Sequence, residues 1–138
     1  MLMLGKTRRP EMNAVLADYV KRIERSCPVE MTEVRDEDAA IKKLEADRTA
    51  TAVLLDAAGK TFGSEAFAKW LGERRDRGTR EVIFVCGDAD GFPEKLRERV
   101  KEKVSLSAMT YSHELARVML AEQIYRAFAI LSGSPYPR

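Results

Sequence analysis

Apolar positions along the chain occur in two patterns, short continuous runs and longer spaced stripes, and the two patterns alternate. Continuous runs rich in β-branched and aromatic residues predict buried strands at 51–56 (TAVLLD) and 81–87 (EVIFVCG). Apolar residues alternate with polar ones at 29–34 and at 104–110, and the opening MLML is a candidate first strand. We therefore predict five short strands.

Between these runs, apolar residues recur at i, i+3 and i+4 spacing, which predicts amphipathic helices. The first stripe lies in residues 9–25 and consists of Met12, Val15, Leu16, Tyr19, Val20 and Ile23. A second stripe, in residues 36–47, places three apolar side chains inward: Ala40, Ile41 and Leu44.

Three further helices are indicated by the residues at their ends. Ser64 is a predicted N-cap for a helix that ends near Gly78, and Pro93 is a favourable first residue for a helix over PEKLRERVKEK. Ser112 and Gly133 are predicted to cap the two ends of the last helix.

The last helix carries more apolar surface than one packing face requires. Its apolar residues cover most of its circumference: Leu115, Val118, Met119, Leu120, Ala121, Ile124, Tyr125, Phe128 and Leu131. A helix that packs on a sheet needs one apolar face. The excess predicts a second packing partner, either another element of the chain or another subunit.

The element order, β-α-β-α-β-α-β-α-β-α, predicts an α/β fold with helices flanking a mostly parallel sheet. Ligands of such sheets bind beyond the carboxyl ends of the strands. Three strand ends carry residues that suit a ligand site: LLDAAGK, VCGDADGF and SLSAMTYSH. We expect a binding site among these segments.

Composition narrows the protein class. The chain has 138 residues, 45% hydrophobic and 33% charged, which predicts one globular domain with a substantial core. No apolar run approaches the roughly 20 residues that cross a bilayer, and the first residues lack signal-peptide features. Because Cys27 and Cys86 suit a reducing compartment, we expect a cytoplasmic protein with no membrane partner.

The net charge of +2 neither requires nor excludes a nucleic-acid partner. Basic residues are unevenly distributed, with one cluster near the start and another around a turn: Lys6, Arg8 and Arg9, then Arg74, Arg75, Arg77 and Arg80. Each cluster is either solvated surface or a phosphate-binding face.

The polar residues near the strand ends exclude some chemistries and leave others open. His113 is the only histidine and the cysteines are not paired, so we expect no metal site, and no catalytic triad can be assembled. Gly87 and Gly91 either allow close approach of the backbone to a ligand or form a plain turn. The hydroxyl residues after the last strand either line a pocket or satisfy local backbone groups.

Several segments resemble, in order along the chain, the large-subunit (23S) rRNA pseudouridine N3-methyltransferases of the SPOUT class. They are LGKTRRPEM, DYVKRI, LLDAAGK, CGDADGF, SLSAMTYSHELARVMLAEQIYRAFAI and the PY near the end. The resemblance covers essentially the whole chain. It implies a C-terminal trefoil knot, a homodimer, S-adenosyl-L-methionine as methyl donor, and a pseudouridine of the assembled ribosome as substrate.

The resemblance also implies residue roles. The cofactor pocket would be formed by Leu55, Asp56, Gly87, Asp88, Ser107, Ala108, Met109, Thr110, Tyr111 and Ser112. The tail residues Tyr136 and Arg138 would approach the target base. No general base is obvious in the sequence: His113 and Asp88 are candidates, and His113 is alternatively a structural residue at the start of the last helix. Four basic residues would hold the RNA: Lys6, Arg8, Arg9 and Arg117.

The chain departs from the family pattern at several positions, and two of them motivate an alternative. Asp88 stands where the family usually has a second glycine, and Pro137 where it has a histidine. These differences leave open the alternative that the protein has the same fold and binds RNA or the ribosome, but transfers methyl groups poorly. Without the resemblance, the pattern favours a flavodoxin-like domain that binds a nucleotide or transmits a signal, although neither a phosphate loop nor an acidic receiver pocket is present.

Overall fold

The computed structural model describes residues 1–136 and contains a five-stranded parallel sheet flanked by five helices. The strands are β1 Leu2–Leu4, β2 Thr32–Val34, β3 Thr51–Thr61, β4 Val82–Cys86 and β5 Glu102–Ser105. The helices are α1 Pro10–Ile23, α2 Glu37–Ala46, α3 Ser64–Asp76, α4 Glu94–Arg99 and α5 His113–Leu131. The predicted alternation and the predicted α/β fold class are confirmed.

The strand order is β2-β1-β4-β3-β5, and all the strand pairs are parallel. A flavodoxin-like sheet has the order 2-1-3-4-5. The exchange of β3 and β4 therefore contradicts the flavodoxin-like alternative.

Two apolar clusters lie on opposite faces of the sheet. Alternation along β3 explains the division, because Val53 belongs to the cluster under α1, α3 and α5, whereas Leu54 belongs to the cluster under α2 and α4. Both side chains are fully buried. One residue of the predicted α1 stripe, Val15, is instead 44% exposed.

Helix α5 packs against both α1 and α3. The second packing partner predicted for its wide apolar surface is therefore supplied, at least in part, by the same chain. Both predicted caps are confirmed, because Ser112 Oγ accepts a hydrogen bond from Leu115 N at 3.4 Å and Gly133 adopts φ +73° just after the helix.

Strand β3 is longer than the predicted 51–56, and it is interrupted next to β5. Leu55 and Lys60 both pair with Val104, so the four residues between them bulge out of the ladder. A Cβ on Gly59 would lie 2.6 Å from the backbone of β5, and glycine is therefore required for the close approach of the two strands.

The prediction of a strand over 104–110 is wrong beyond Ser105, where β5 ends. Ser105 Oγ donates to the Ser107 carbonyl oxygen at 2.8 Å, and Ser107 Oγ accepts from Met109 N at 3.0 Å. These local hydrogen bonds replace a strand ladder with a loop. Residues 106–112 are called the hydroxyl loop below.

Two helix starts also differ from prediction. Pro93 precedes α4 rather than beginning it, and α4 ends early because Glu102 already pairs with β3. Gly63, not Ser64, is the N-cap of α3. The Ser64 hydroxyl instead donates to Gln123 Oε1 on α5 at 2.8 Å, which ties α3 to α5.

Candidate functional site

A cavity of about 390 Å³ lies beyond the carboxyl ends of β3, β4 and β5 and is closed by the hydroxyl loop and the first turn of α5. Most of the residues predicted for a site line it: Leu55, Asp56, Gly87, Asp88, Ser107, Met109, Thr110, Tyr111, Ser112 and His113. Ala108 is exposed and does not line the cavity, because the loop turns its position outward. The volume falls in the range of small-molecule sites.

Asp56 supplies a buried carboxylate to the cavity wall. Its Oδ1 accepts a hydrogen bond from Ala58 N at 2.9 Å, which fixes the side chain within the β3 bulge. Its Oδ2 is buried and has no hydrogen-bond partner within residues 1–136. A bound molecule with a hydroxyl or ammonium donor would satisfy this oxygen.

Arg97, on α4, was not among the predicted site residues. Its Nη2 lies 3.5 Å from Asp56 Oδ2, and its side chain is 46% exposed, so part of the guanidinium faces solvent beside the cavity. Its sequence context, a charged helical run, did not identify it as a site residue, because exposed basic residues are common on such helices.

The loop 87–91 keeps the backbone close to the cavity. A Cβ on Gly87 would lie 2.9 Å from the Gly91 carbonyl oxygen, and Gly91 adopts φ +82°. Asp88 Oδ1 accepts from Asp90 N at 2.9 Å, which closes the turn. Both glycines are therefore required by the loop itself, and the Asp88 carboxylate stands at its exposed tip.

Cys86, at the end of β4, contributes a thiol that does not ionise readily. Burial raises the pKa of Cys86 to about 11, because the low-polarity surroundings disfavour the thiolate. Cys86 is therefore an apolar part of the cavity wall rather than a nucleophile.

The comparisons with known proteins agree with this geometry. A family model described as "Predicted SPOUT methyltransferase" matches residues 1–137. The chain belongs to the SPOUT methyltransferase family. Among curated relatives, the protein named ribosomal RNA large subunit methyltransferase H from Solibacter usitatus is 44% identical over 135 residues, covering 98% of this chain and 95% of its own. The protein of the same name from Pelobacter propionicus is 40% identical over 146 residues, with the same coverage.

Solved structures show the same fold. The SpoU methyltransferase AviRb from Streptomyces viridochromogenes matches with a TM-score of 0.58 at 14% identity, over 96% of this chain and 60% of that one. A structure of AviRb in complex with the cofactor AdoMet matches with a TM-score of 0.54 at 13% identity, over 91% of this chain and 56% of that one. The chain thus spans less than two thirds of the length of these structural neighbours.

In this SPOUT methyltransferase, Tyr136 lies apart from the cavity. Its hydroxyl donates to Glu122 Oε1 at 3.2 Å, and its ring centroid lies 4.5 Å from that of Tyr125. Glu122 also accepts from Arg126 Nη2 at 2.5 Å. Tyr136 and the other predicted site residues are therefore not brought together within one protomer, and Arg138 lies outside the described residues.

The four basic residues predicted to hold RNA divide into two groups in this methyltransferase. Lys6, Arg8 and Arg9 are exposed on the loop between β1 and α1. Arg117, in contrast, is fully buried, and burial lowers the pKa of its guanidinium. Because its side chain does not reach the protomer surface, any part that Arg117 plays in holding RNA is indirect, and that role stays a prediction.

The burial of Arg117 had a signal in the sequence. Arg117 falls on the same helical stripe as Leu120, Ala121 and Ile124, all of which are buried. A basic residue in the middle of an apolar stripe indicates either an interface or a buried partner. Here its partners are Leu4 at the end of β1 and Thr7 in the loop that follows, which helical spacing alone does not identify.

Within residues 1–136, the chain has no group of three or more His, Cys, Asp or Glu residues arranged to hold a metal ion. None of the helices in that range is long and apolar enough to cross a membrane.

Proposed function

We propose that this protein transfers a methyl group from S-adenosyl-L-methionine to N3 of a pseudouridine in large-subunit rRNA, within the assembled ribosome. The observation that carries the proposal is the cavity at the carboxyl ends of β3, β4 and β5, enclosed by the hydroxyl loop. The names of the curated relatives support the RNA substrate, and the AdoMet complex of AviRb supports the donor.

The cavity residues fit this donor. S-adenosyl-L-methionine carries ribose hydroxyls and an ammonium group, and Asp56 Oδ2, which accepts no hydrogen bond within residues 1–136 but lies 3.5 Å from Arg97 Nη2, is an acceptor for such donors. The loop 87–91 lines the cavity, and Gly87, where the loop itself leaves no room for a Cβ, presents no side chain to a ligand. Leu55, the 87–91 loop and the hydroxyl loop would hold the cofactor, and Arg97 would supply a cation beside it.

When bound, S-adenosyl-L-methionine supplies a methyl group that is already activated for transfer. The protein's contribution is to position the target nitrogen and to exclude water. Methylation of N3 replaces the proton on that nitrogen, so the proton must be accepted by water or by a side chain. His113 lines the cavity at the first turn of α5 and is the candidate acceptor.

The exposed loop after β1 suits contact with RNA phosphates. Lys6, Arg8 and Arg9 project from a segment whose backbone is tied to α5, because Glu114 Oε1 accepts from Arg9 N at 2.9 Å. Contacts between basic side chains and phosphates provide affinity without reading sequence. These residues would hold the RNA while the cavity determines which atom reacts.

We also propose a homodimer with the C-terminal trefoil knot that the family resemblance implies. Tyr136 docks on Glu122, which lies about 9 Å along α5 from the cavity residue Ala116. A role for Tyr136 at the target base therefore requires that the tail of one protomer approach the cavity of its partner. Val15 on α1 and Ile130 on α5 leave large apolar side chains exposed for such an association.

A second candidate, a protein that binds the ribosome but transfers methyl groups poorly, is favoured by one observation. Asp88 places an exposed carboxylate at the tip of the loop that lines the cavity. This charge would lie near the carboxylate of the donor.

Single-turnover labelling separates the two candidates. Excess protein is mixed with ribosomes from a strain that lacks the modification, together with donor labelled in its methyl group. An enzyme transfers about one methyl group per ribosome, whereas a binding protein co-sediments with ribosomes and transfers none.

A further inference from the structure

Arg117 is the largest fully buried side chain of the described residues, and its partners are neutral. Its Nη1 donates to Thr7 Oγ1 at 2.8 Å and its Nη2 to the Leu4 carbonyl oxygen at 2.6 Å. Its Nε has no hydrogen-bond partner within residues 1–136. A buried charge without a paired carboxylate is costly, so packing alone does not favour arginine over an apolar residue at this position.

One partner of Arg117, Thr7, belongs to the segment that carries the exposed basic residues, and the other, Leu4, ends β1 directly before that segment. This segment, residues 5–9, is called the basic loop. Arg117 holds it at Thr7, and Glu114 holds it at the Arg9 amide. The hydrogen bond from that amide lowers the pKa of Glu114, so the carboxylate is charged at neutral pH and the contact persists. Asn13 Nδ2 adds a third bond, to the Thr7 carbonyl oxygen at 2.7 Å.

The first turns of α5 also form part of the cavity wall. Ser112, His113 and Ala116 line the cavity, and Arg117 follows directly. On the other side, a Cβ on Gly5 would lie 3.9 Å from Asp88 Cβ, so the basic loop runs close to the 87–91 loop. The basic loop is thus held by α5 and lies beside the 87–91 loop, the two elements that border the proposed cofactor site.

We propose that Arg117 is a positioning residue that holds the basic loop at the rim of the cavity, and so sets where the RNA phosphates bind relative to the methyl donor. The inference rests on the proposed function and extends it to a residue that touches neither substrate. Loss of Arg117 leaves two buried acceptors, on Thr7 and Leu4, without their donor, and the basic loop loses its buried anchor and keeps only the bonds to Glu114 and Asn13.

The test compares Arg117→Met and Arg117→Lys with Arg48→Met, which removes the same charge from an exposed site. Donor affinity is measured by calorimetry, ribosome affinity by co-sedimentation, and kcat and KM for ribosomes by methyl transfer. We expect Arg117→Met to weaken ribosome binding and raise KM about tenfold, with donor affinity unchanged. Arg117→Lys retains a charged donor and recovers part of the loss, and Arg48→Met behaves as the parent.

A double-mutant cycle identifies the route of the effect. Removing both basic side chains, Arg8→Ala with Arg9→Ala, weakens ribosome binding in the parent. In the Arg117→Met background the same change has little further effect, because the loop no longer brings these charges to the RNA. Additive losses would show that Arg117 does not act through the basic loop and would overturn the inference.

Thr7→Val is the second variant, used if Arg117→Met does not fold. It preserves the shape of the side chain and removes only the Oγ1 acceptor, so we expect a smaller loss in the same direction. If the variants lose donor affinity and ribosome affinity to the same extent, Arg117 serves only to stabilise the fold, and the inference is overturned. If the parent protein binds ribosomes without methylating them, the proposed reaction is refuted. The ribosome affinities of the Arg117 variants would then still test this inference. A parent that binds no ribosomes refutes both.

Discussion

The Tyr136 hydroxyl donates a hydrogen bond to Glu122 Oε1 over 3.2 Å, which docks the end of the described chain on α5. Desolvation, with Tyr19 and Glu122 nearby, raises the pKa of Tyr136. The phenol is therefore neutral at physiological pH and cannot serve as a base. Its hydroxyl is engaged by Glu122, whereas its ring is partly exposed, so the ring is the part that can contact an RNA base.

Deletion of residues 135–138 is expected to leave folding and donor binding nearly unchanged and to abolish methylation of ribosomes. The tail adds little to the core, but Pro135 stiffens a segment that presents an aromatic ring. Tyr136→Ala alone is expected to lose most of the activity, since base–aromatic stacking contributes roughly 1–3 kcal/mol. Tyr136→Phe is the matched control and retains the stacking. Methylation by the truncated protein at the intact rate would show that the tail has no role.

Asp88→Gly is expected to tighten the binding of S-adenosyl-L-methionine in a calorimetric titration. The substitution removes a carboxylate from the loop that lines the cavity, and with it a repulsion against the carboxylate of the donor. Asp88→Asn keeps an acceptor for the Asp90 amide and removes only the charge, so it isolates the electrostatic part. Weaker binding by Asp88→Gly would identify Asp88 as a direct contact of the donor.

Gly87→Ala is expected to abolish donor binding. The new methyl group would lie 2.9 Å from the Gly91 carbonyl oxygen, and both partners are backbone, so the loop must move. Gly63→Ala is the control, because a Cβ at Gly63 meets nothing within 4 Å and Gly63 is remote from the cavity lining. Donor affinity that survives in Gly87→Ala would show that the cofactor does not use this loop.

Light scattering at micromolar concentration is expected to give a mass of about twice 15.6 kDa. Tyr125→Glu is expected to yield a folded monomer, because Tyr125 is only partly buried in the protomer and a new carboxylate at an interface is costly. Leu120→Glu should instead prevent folding, since Leu120 is fully buried in the protomer core. A parent protein of monomeric mass would contradict the proposed dimer.

The two cysteines are expected to differ in reactivity toward a thiol reagent. Cys27 is partly exposed, whereas Cys86 is buried with a pKa raised to about 11, so the folded protein should react at Cys27 only. Cys27→Ser leaves no fast-reacting thiol until the protein is unfolded. Rapid labelling of Cys86 in this variant would show that the cavity wall opens.

The same thiol links stability to alkaline pH. The unfolded chain releases the Cys86 proton near 9.0, the ordinary pKa of a cysteine thiol, whereas burial in the folded protein raises the pKa to about 11. Because the folded state then binds more protons, this residue makes the free energy of unfolding fall as pH rises through that window. Cys86→Ala should show a smaller fall over the same range in urea denaturation.

The sequence predicted the alternation of strands and helices well, because periodicity reports directly on burial. The continuous run over 81–87 became the buried β4, and the caps at Ser112 and Gly133 were found at the ends of α5. The error over 104–110 has a local cause, since serine hydroxyls bind the backbone and compete with a strand. Periodicity does not report such side-chain bonds.

The sequence indicated which strand ends would meet at one edge of the sheet. It did not indicate the contacts that site residues make with side chains distant in sequence. Parallel strands bring Asp56, Gly87 and Ser107 to one edge, as expected. Arg97 approaches Asp56 and Arg117 approaches Thr7 only through folding, and neither pair is separated by a helical or strand repeat. Hydrophobic periodicity carries no information about the order of strands in a sheet, so the exchange of β3 and β4 could not be predicted from it.

The most direct test of the proposed function is nucleoside analysis of ribosomes treated with this protein. Ribosomes that lack the modification are incubated with the protein and methyl-labelled donor, and the large-subunit rRNA is digested and examined by mass spectrometry. We predict one labelled nucleoside, a pseudouridine methylated at N3, formed from assembled ribosomes. Label in another nucleoside, or none after saturating donor and protein, would contradict the proposal.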